Sequence, residues 1–232
     1  MKSMIKPALA AAFAATALAA PAMSTPAMAQ VSGIATADLP IAVAQSQAFQ
    51  SGYQQISTQY EAQRTTIQQR QQQRQQLIQT FDTNSDGQLD ATEQAATQDP
   101  NNVTVQQIQA IDQEVATLQQ PINLARVYVV SQIAGQYSAA LQQVVSDNNI
   151  QFVLQPEALI YSPEAANVTS QVVTALNTRL PAAQIIPPAD YQPTEGAVQL
   201  FQQIQQILMI SAMQQQQAAA AAQQPEPATT GR

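Results

Sequence analysis

Asp82, Asn84, Asp86, Gln88, Asp90 and Glu93 occupy places one, three, five, seven, nine and twelve of a twelve-residue stretch, with Gly87 at place six. This is the D-x-[DN]-x-[DN]-G-x₅-E spacing of an EF-hand calcium loop. Asp82, Asn84 and Asp86 are expected to supply side-chain oxygens, and Gln88 its backbone carbonyl. Asp90 would act through a water, and Glu93 through both carboxylate oxygens, with Gly87 allowing the central bend. Phe81 before the loop and Leu89 at its eighth place match the apolar flanks of such a site. Hard oxygen donors of this kind suit Ca²⁺ better than any soft metal. Four carboxylates this close repel one another, and a divalent ion would turn that repulsion into an ordered tip. The chain has no second loop, so the expected affinity is modest, of the order of 10⁻⁴–10⁻³ M. A solvated connector rich in Asp, Asn, Ser and Gly is the plainer alternative.

Other chemistry is largely excluded. The 232 residues include no cysteine and no histidine, which removes thiol nucleophiles, imidazole bases, the usual zinc sites and Ser-His-Asp triads. No catalytic residues are expected, and the protein is not read as an enzyme. No phosphate-binding G-x-x-x-x-G-K-[ST] motif is present.

Residues 1–29 have the form of a secretory signal peptide: Lys2 and Lys6 precede an apolar run over 8–20, and Ala27-Met28-Ala29 predicts cleavage after Ala29. Beyond it, six arginines face 15 acids, a net charge of −9. That balance argues against nucleic acid and against a polybasic membrane anchor. No transmembrane segment is expected in the mature chain.

The elements that must position the loop are helical. Phe49, Tyr53, Ile56, Tyr60, Gln63, Ile67, Arg70, Arg74, Leu77 and Phe81 follow steps of four and three, predicting a helix over 43–81 with a coiled-coil seam. The seam is polar around "QQRQQQRQQ", where core burial cannot hold it. Ile108, Ile111, Val115, Leu118, Ile122, Ala125 and Val129 predict a second helix over 103–148, with a bend at Pro121. The two should form an antiparallel hairpin with 82–102 as its tip. A strand over 31–37 and two more within 150–162 ("IQFVL", "ALIYS") are expected. A helix over 168–180 follows, capped by Asn167 or Thr169. Asn102-Val103-Thr104 and Asn167-Val168-Thr169 also fit a glycosylation sequon, with capping and loop roles taken as the default. Residues 181–213 should form a linker and a C-terminal helix, and 214–232 a disordered Gln/Ala-rich tail.

This order of elements resembles the OmpH/Skp family of periplasmic chaperones, on two stretches above all: "IATADLPIAVAQSQAF", and "NNIQFVLQPEALIYSPEAANVTSQVVTALNTRL". The similarity covers about residues 31–180. It implies an α+β, mainly α fold in which a long hairpin, or tentacle, stands on a small β body that assembles as a homotrimer. It also implies a periplasmic holdase that binds unfolded outer-membrane proteins without ATP. An arm with no lysine and much glutamine departs from the family's often basic arms, as does the acidic loop. The alternative is a calcium-binding structural coiled-coil protein of the cell envelope without chaperone activity.

Overall fold

The computed structural model describes residues 33–222; the signal peptide, its cleavage after Ala29 and the last ten residues lie outside the described residues. Two strands, β1 (Ile34–Thr36) and β2 (Phe152–Leu154), pair in parallel with Ile34 opposite Phe152. Parallel strands need a long crossover. Here the crossover is the whole hairpin. Gly33 enters β1 at φ +88°, a backbone region that favours glycine, and its carbonyl accepts from Gln151 and Phe152 N–H.

The outgoing arm comprises α1 (Leu39–Gln45), α2 (Gln47–Gln59) and α3 (Glu61–Gln79), where the periodicity predicts a single helix over 43–81. Ser46 makes the first break. Its extended backbone ends α1, and its buried hydroxyl accepts from Phe49 N–H while donating to the Val43 carbonyl. A serine that can cap the next helix makes such a break inexpensive. At Tyr60 the dihedrals depart from helical values, yet Tyr60 N–H still bonds the Ile56 carbonyl and Arg64 N–H the Tyr60 carbonyl, so the arm continues.

A short helix, α4 (Ala91–Gln98), lies in the tip, and α5 (Val103–Asp147) is the 45-residue return arm. Its length is about 65 Å at 1.5 Å per residue. It passes through Pro121 without ending; Pro121 is exposed, as is Thr117, whose carbonyl would otherwise have received the missing N–H, so water can satisfy it. The seam is apolar on both sides: Phe49, Ile56, Ile67 and Phe81 are buried on one arm, Ile111, Ile122, Ala125 and Val129 on the other. Its polar centre is bridged by charge. Arg70 Nε lies 2.8 Å from Glu114 Oε2, off the N–H axis, and Arg74 Nε donates to Asp112 Oδ1 at 2.7 Å. The four side chains are 39–49% exposed, so each pair is worth of the order of 0–1 kcal/mol. They set the register of the arms more than they stabilise them.

The base is closed by α6 (Thr169–Arg179), which presents Val172 and Leu176 to the core. Asn167 Oδ1 accepts from Thr169 N–H at the start of α6, whereas Thr169 does not cap that helix: it is its first residue, and its hydroxyl accepts from Asp38 N–H at 3.1 Å. Asp38 in turn caps α1 by accepting from Ile41 N–H at 2.8 Å. The two ends of the family-like region are thereby tied together.

Two further expectations are corrected. "ALIYS" forms no strand: a single 3-10 turn at Pro156–Ala158 is followed by irregular chain in which Ile160 and Tyr161 are exposed. A strand needs an edge to pair with, and within one chain none reaches this segment. The C-terminal helix α7 (Glu195–Ala222) runs nine residues past Met213 into the expected tail, where alanine and glutamine are good helix formers. The linker before α7 is anchored to α5. Gln132 exchanges two hydrogen bonds with the Gln184 backbone, and the Tyr191 hydroxyl donates to Ser131 Oγ at 3.0 Å. No helix of the described residues is long and apolar enough to cross a membrane.

Candidate functional site

The loop from Asp82 to Glu93 forms the end of the outgoing arm and the start of α4. Phe81 is buried beneath it, but Leu89 is 41% exposed, since an isolated loop has no second loop to cover its eighth place. The chain turns with Ser85 at φ +59° and Gly87 at φ +81°; the bend at Gly87 is the one the spacing predicts. A side chain at Gly87 would meet nothing within 4 Å, so backbone conformation alone makes glycine suitable there.

All six predicted ligand residues lie in this one loop, and the side-chain oxygens of five of them, all but Gln88, accept from backbone amides. Asp82 Oδ2 accepts from Gly87 N–H at 2.8 Å and Oδ1 from Asp86 N–H at 3.2 Å. Asn84 Oδ1 accepts from Asp86 N–H, and Asp86 Oδ1 from Gln88 N–H. Asp90 caps α4, accepting from Thr92 and Glu93 N–H. Glu93, only 5% exposed, is the keystone. Its Oε1 accepts from Thr83 N–H and Oγ–H, both at 2.7 Å, and its Oε2 from Asp90 N–H at 3.1 Å. Among the described residues no three acidic side chains gather as a ready metal cage. Like charges avoid a shared point, and each finds an amide partner instead.

The hydroxyl of Thr83, followed by backbone N–H donors, holds the Glu93 carboxyl below its ordinary value. The sign follows: the unfolded chain binds this proton more readily, so the folded tip gains stability as pH rises. That gain is complete above the ordinary glutamate value and is lost as pH falls through the lowered folded value. Protection of the amides at 83–93, taken relative to their intrinsic exchange rates at each pH, should therefore be greatest at neutral pH and fall under acid, and Glu93→Gln should flatten that dependence. Thr83 was not apparent as a partner from the calcium pattern. The Asp90-x-x-Glu93 capping box at the start of α4 is likewise a role that the calcium pattern did not assign, although a capping residue three places before a glutamate is its sequence signal.

A second feature is the apolar surface at the base. Ile34, Phe152, Ile160 and Tyr161 are exposed around the two-stranded sheet. Beside them a groove of about 720 Å³ opens between the start of α1, β2 and α7, lined by Leu39, Tyr137, Leu154 and Ile207 among others. Burial raises the Tyr137 hydroxyl above its ordinary pKa, and the Asp38 carboxylate adds to this.

Fold and site together define a helical hairpin on a small parallel β pair, with a polar loop at one end and apolar surface at the other. The sequence model of the OmpH-like outer membrane proteins matches residues 33–176, from β1 through most of α6. The chain belongs to that OmpH-like family. The linker and α7 lie beyond the matched region. The crystal structure of a candidate outer membrane chaperone (OmpH-like) from Caulobacter crescentus CB15 is similar, at 17% identity and a TM-score of 0.41, over 70% of this chain and 94% of that one. No curated protein gives a sequence match.

Proposed function

We propose that this protein is a periplasmic holdase that binds unfolded outer-membrane proteins without ATP, working as a homotrimer whose hairpins surround the client. Membership of the OmpH-like family over residues 33–176 carries this reading. The apolar residues left exposed around the short sheet support assembly through the base, since a two-stranded pair leaves unpaired edges. A holdase acts by mass action on the unfolded state and needs no catalytic group.

The test is light scattering after dilution of a urea-unfolded outer-membrane protein. Suppression at stoichiometric trimer, unchanged by ATP, is the expected result. Scattering identical to that without the protein would leave the structural envelope reading instead.

The tip is proposed as a calcium loop of modest affinity that stabilises the hairpin end. Asp82, Asn84, Asp86, Gln88, Asp90 and Glu93 have the donor chemistry, and the turn at Gly87 supports it. Ca²⁺ would supply charge neutralisation for the four carboxylates. To take part, Glu93 must give up amide and hydroxyl hydrogen bonds, which weakens net affinity. Calorimetric titration should show one ion per chain, lost in Asp82→Ala/Glu93→Ala. No heat up to several millimolar Ca²⁺ would reduce the loop to a polar connector.

A further inference from the structure

Five arginines lie among the described residues, and three are engaged: Arg70 and Arg74 with acids, and Arg179 with Gln143. The other two, Arg64 and Arg126, line one cavity of about 300 Å³ between α3 and α5. No carboxylate of the described residues pairs with either, including Glu61, one turn ahead of Arg64. Arg64 donates to Ser57 on its own arm, and Arg126 lies over the Tyr53 ring at 5.9 Å, in the range of a cation–π contact. Tyr53 is itself stacked on Phe49 at 4.0 Å, so that side of the arrangement is anchored in the core.

The remaining walls fit an oxygen-rich ligand with a short carbon stem. Gln68, Gln119 and Asn123 contribute amides, and Ile67 and Ile122, both buried, form an apolar floor. Guanidinium groups bind carboxylates through strong charge-assisted hydrogen bonds, and two on one cavity can share a single anion. In a chain with so large an excess of acid, anions are repelled elsewhere and concentrated here.

We infer that this cavity binds a carboxylate, presented by an acidic side chain of an unfolded polypeptide held between the arms. The polypeptide source rests on the chaperone reading; the carboxylate chemistry rests on the cavity alone. A lone phosphate would use the arginines and leave the apolar floor unused, whereas a glutamate side chain uses both.

The experiment is fluorescence anisotropy of the purified protein with a rhodamine-labelled, end-blocked peptide carrying glutamates, against the same peptide with glutamines. At low salt the glutamate peptide should bind at least tenfold more tightly. That preference should vanish in Arg64→Gln/Arg126→Gln and fade at about 0.5 M salt, where screening shortens the range of the attraction to a few Å. Arg64→Glu, at an exposed position that leaves the core untouched, should abolish it as well. A preference that survives in Arg64→Glu and in the folded double variant overturns the inference. So does binding of anionic phospholipid vesicles that depends on these arginines with no peptide preference. Aggregation assays on the unaltered protein separate the two readings: suppression without acid preference sinks the cavity and leaves the chaperone, and acid preference without suppression does the reverse.

Discussion

Ile204→Ala is expected to lower the free energy of unfolding by about 2–5 kcal/mol, the usual loss when a fully buried isoleucine leaves a cavity. Ile204 is 0% exposed and belongs to the same apolar core as Ile56, Val129 and Ile133, although it lies on α7, outside the family-matched region. Ala197 and Leu200 are buried on the same helix, which packs on α1 and α5. Leu208, one further turn along, is 39% exposed. Leu208→Ala should therefore cost well under half as much, since far less apolar surface returns to water. Urea unfolding of both variants, read as midpoint shifts at constant slope, measures the contrast. Equal shifts would mean that α7 is an appendage rather than part of the core.

The second large effect falls at a close approach of the two arms. At Gly52 on α2, an added Cβ would meet Val129 Cγ1 at 3.1 Å and Cγ2 at 3.2 Å. Gly52→Ala requires Val129 to shift by a few tenths of an ångström. Gly52→Leu must push the arms apart, and overpacking of this kind costs about 1–3 kcal/mol or more. The opposite sign is expected at Gly135, also within a helix, where an added Cβ would meet nothing within 4 Å. There, Gly135→Ala should gain about 0.5–1 kcal/mol by restricting the unfolded chain. Thermal melts of the two alanine variants should move in different directions, or at least separate by several degrees for a domain of this size. A stabilising Gly52→Leu would refute the close approach of α2 and α5.

Some of this was open to reading along the chain and some was not. The hairpin was legible because its seam repeats every three and four residues, and nearly every aliphatic residue on that repeat is buried or partly buried against the core. That the six candidate ligand residues share one loop was legible because their spacing is defined. Which atoms they bind was not, since carboxylates choose among nearby amides according to loop geometry, and Thr83 entered through that choice. Arg70 and Arg74 read as flaws in the seam; only the facing arm shows Glu114 and Asp112 opposite them, 38 or more positions away in the chain.

The failures share a cause. "ALIYS" has strand-forming residues, but a strand is a pairing rather than a property of a segment, and this one has no edge to join in its own chain. Ser46 looks like any helix serine until its hydroxyl is found capping the next turn. Local periodicity and spacing are written in consecutive residues, so the chain alone determined the arms, the loop and the family likeness. Tertiary structure decided the break at Ser46, the inclusion of α7 in the core and the shared cavity of Arg64 and Arg126. Each depends on which distant surfaces meet, and one-dimensional patterns do not encode that.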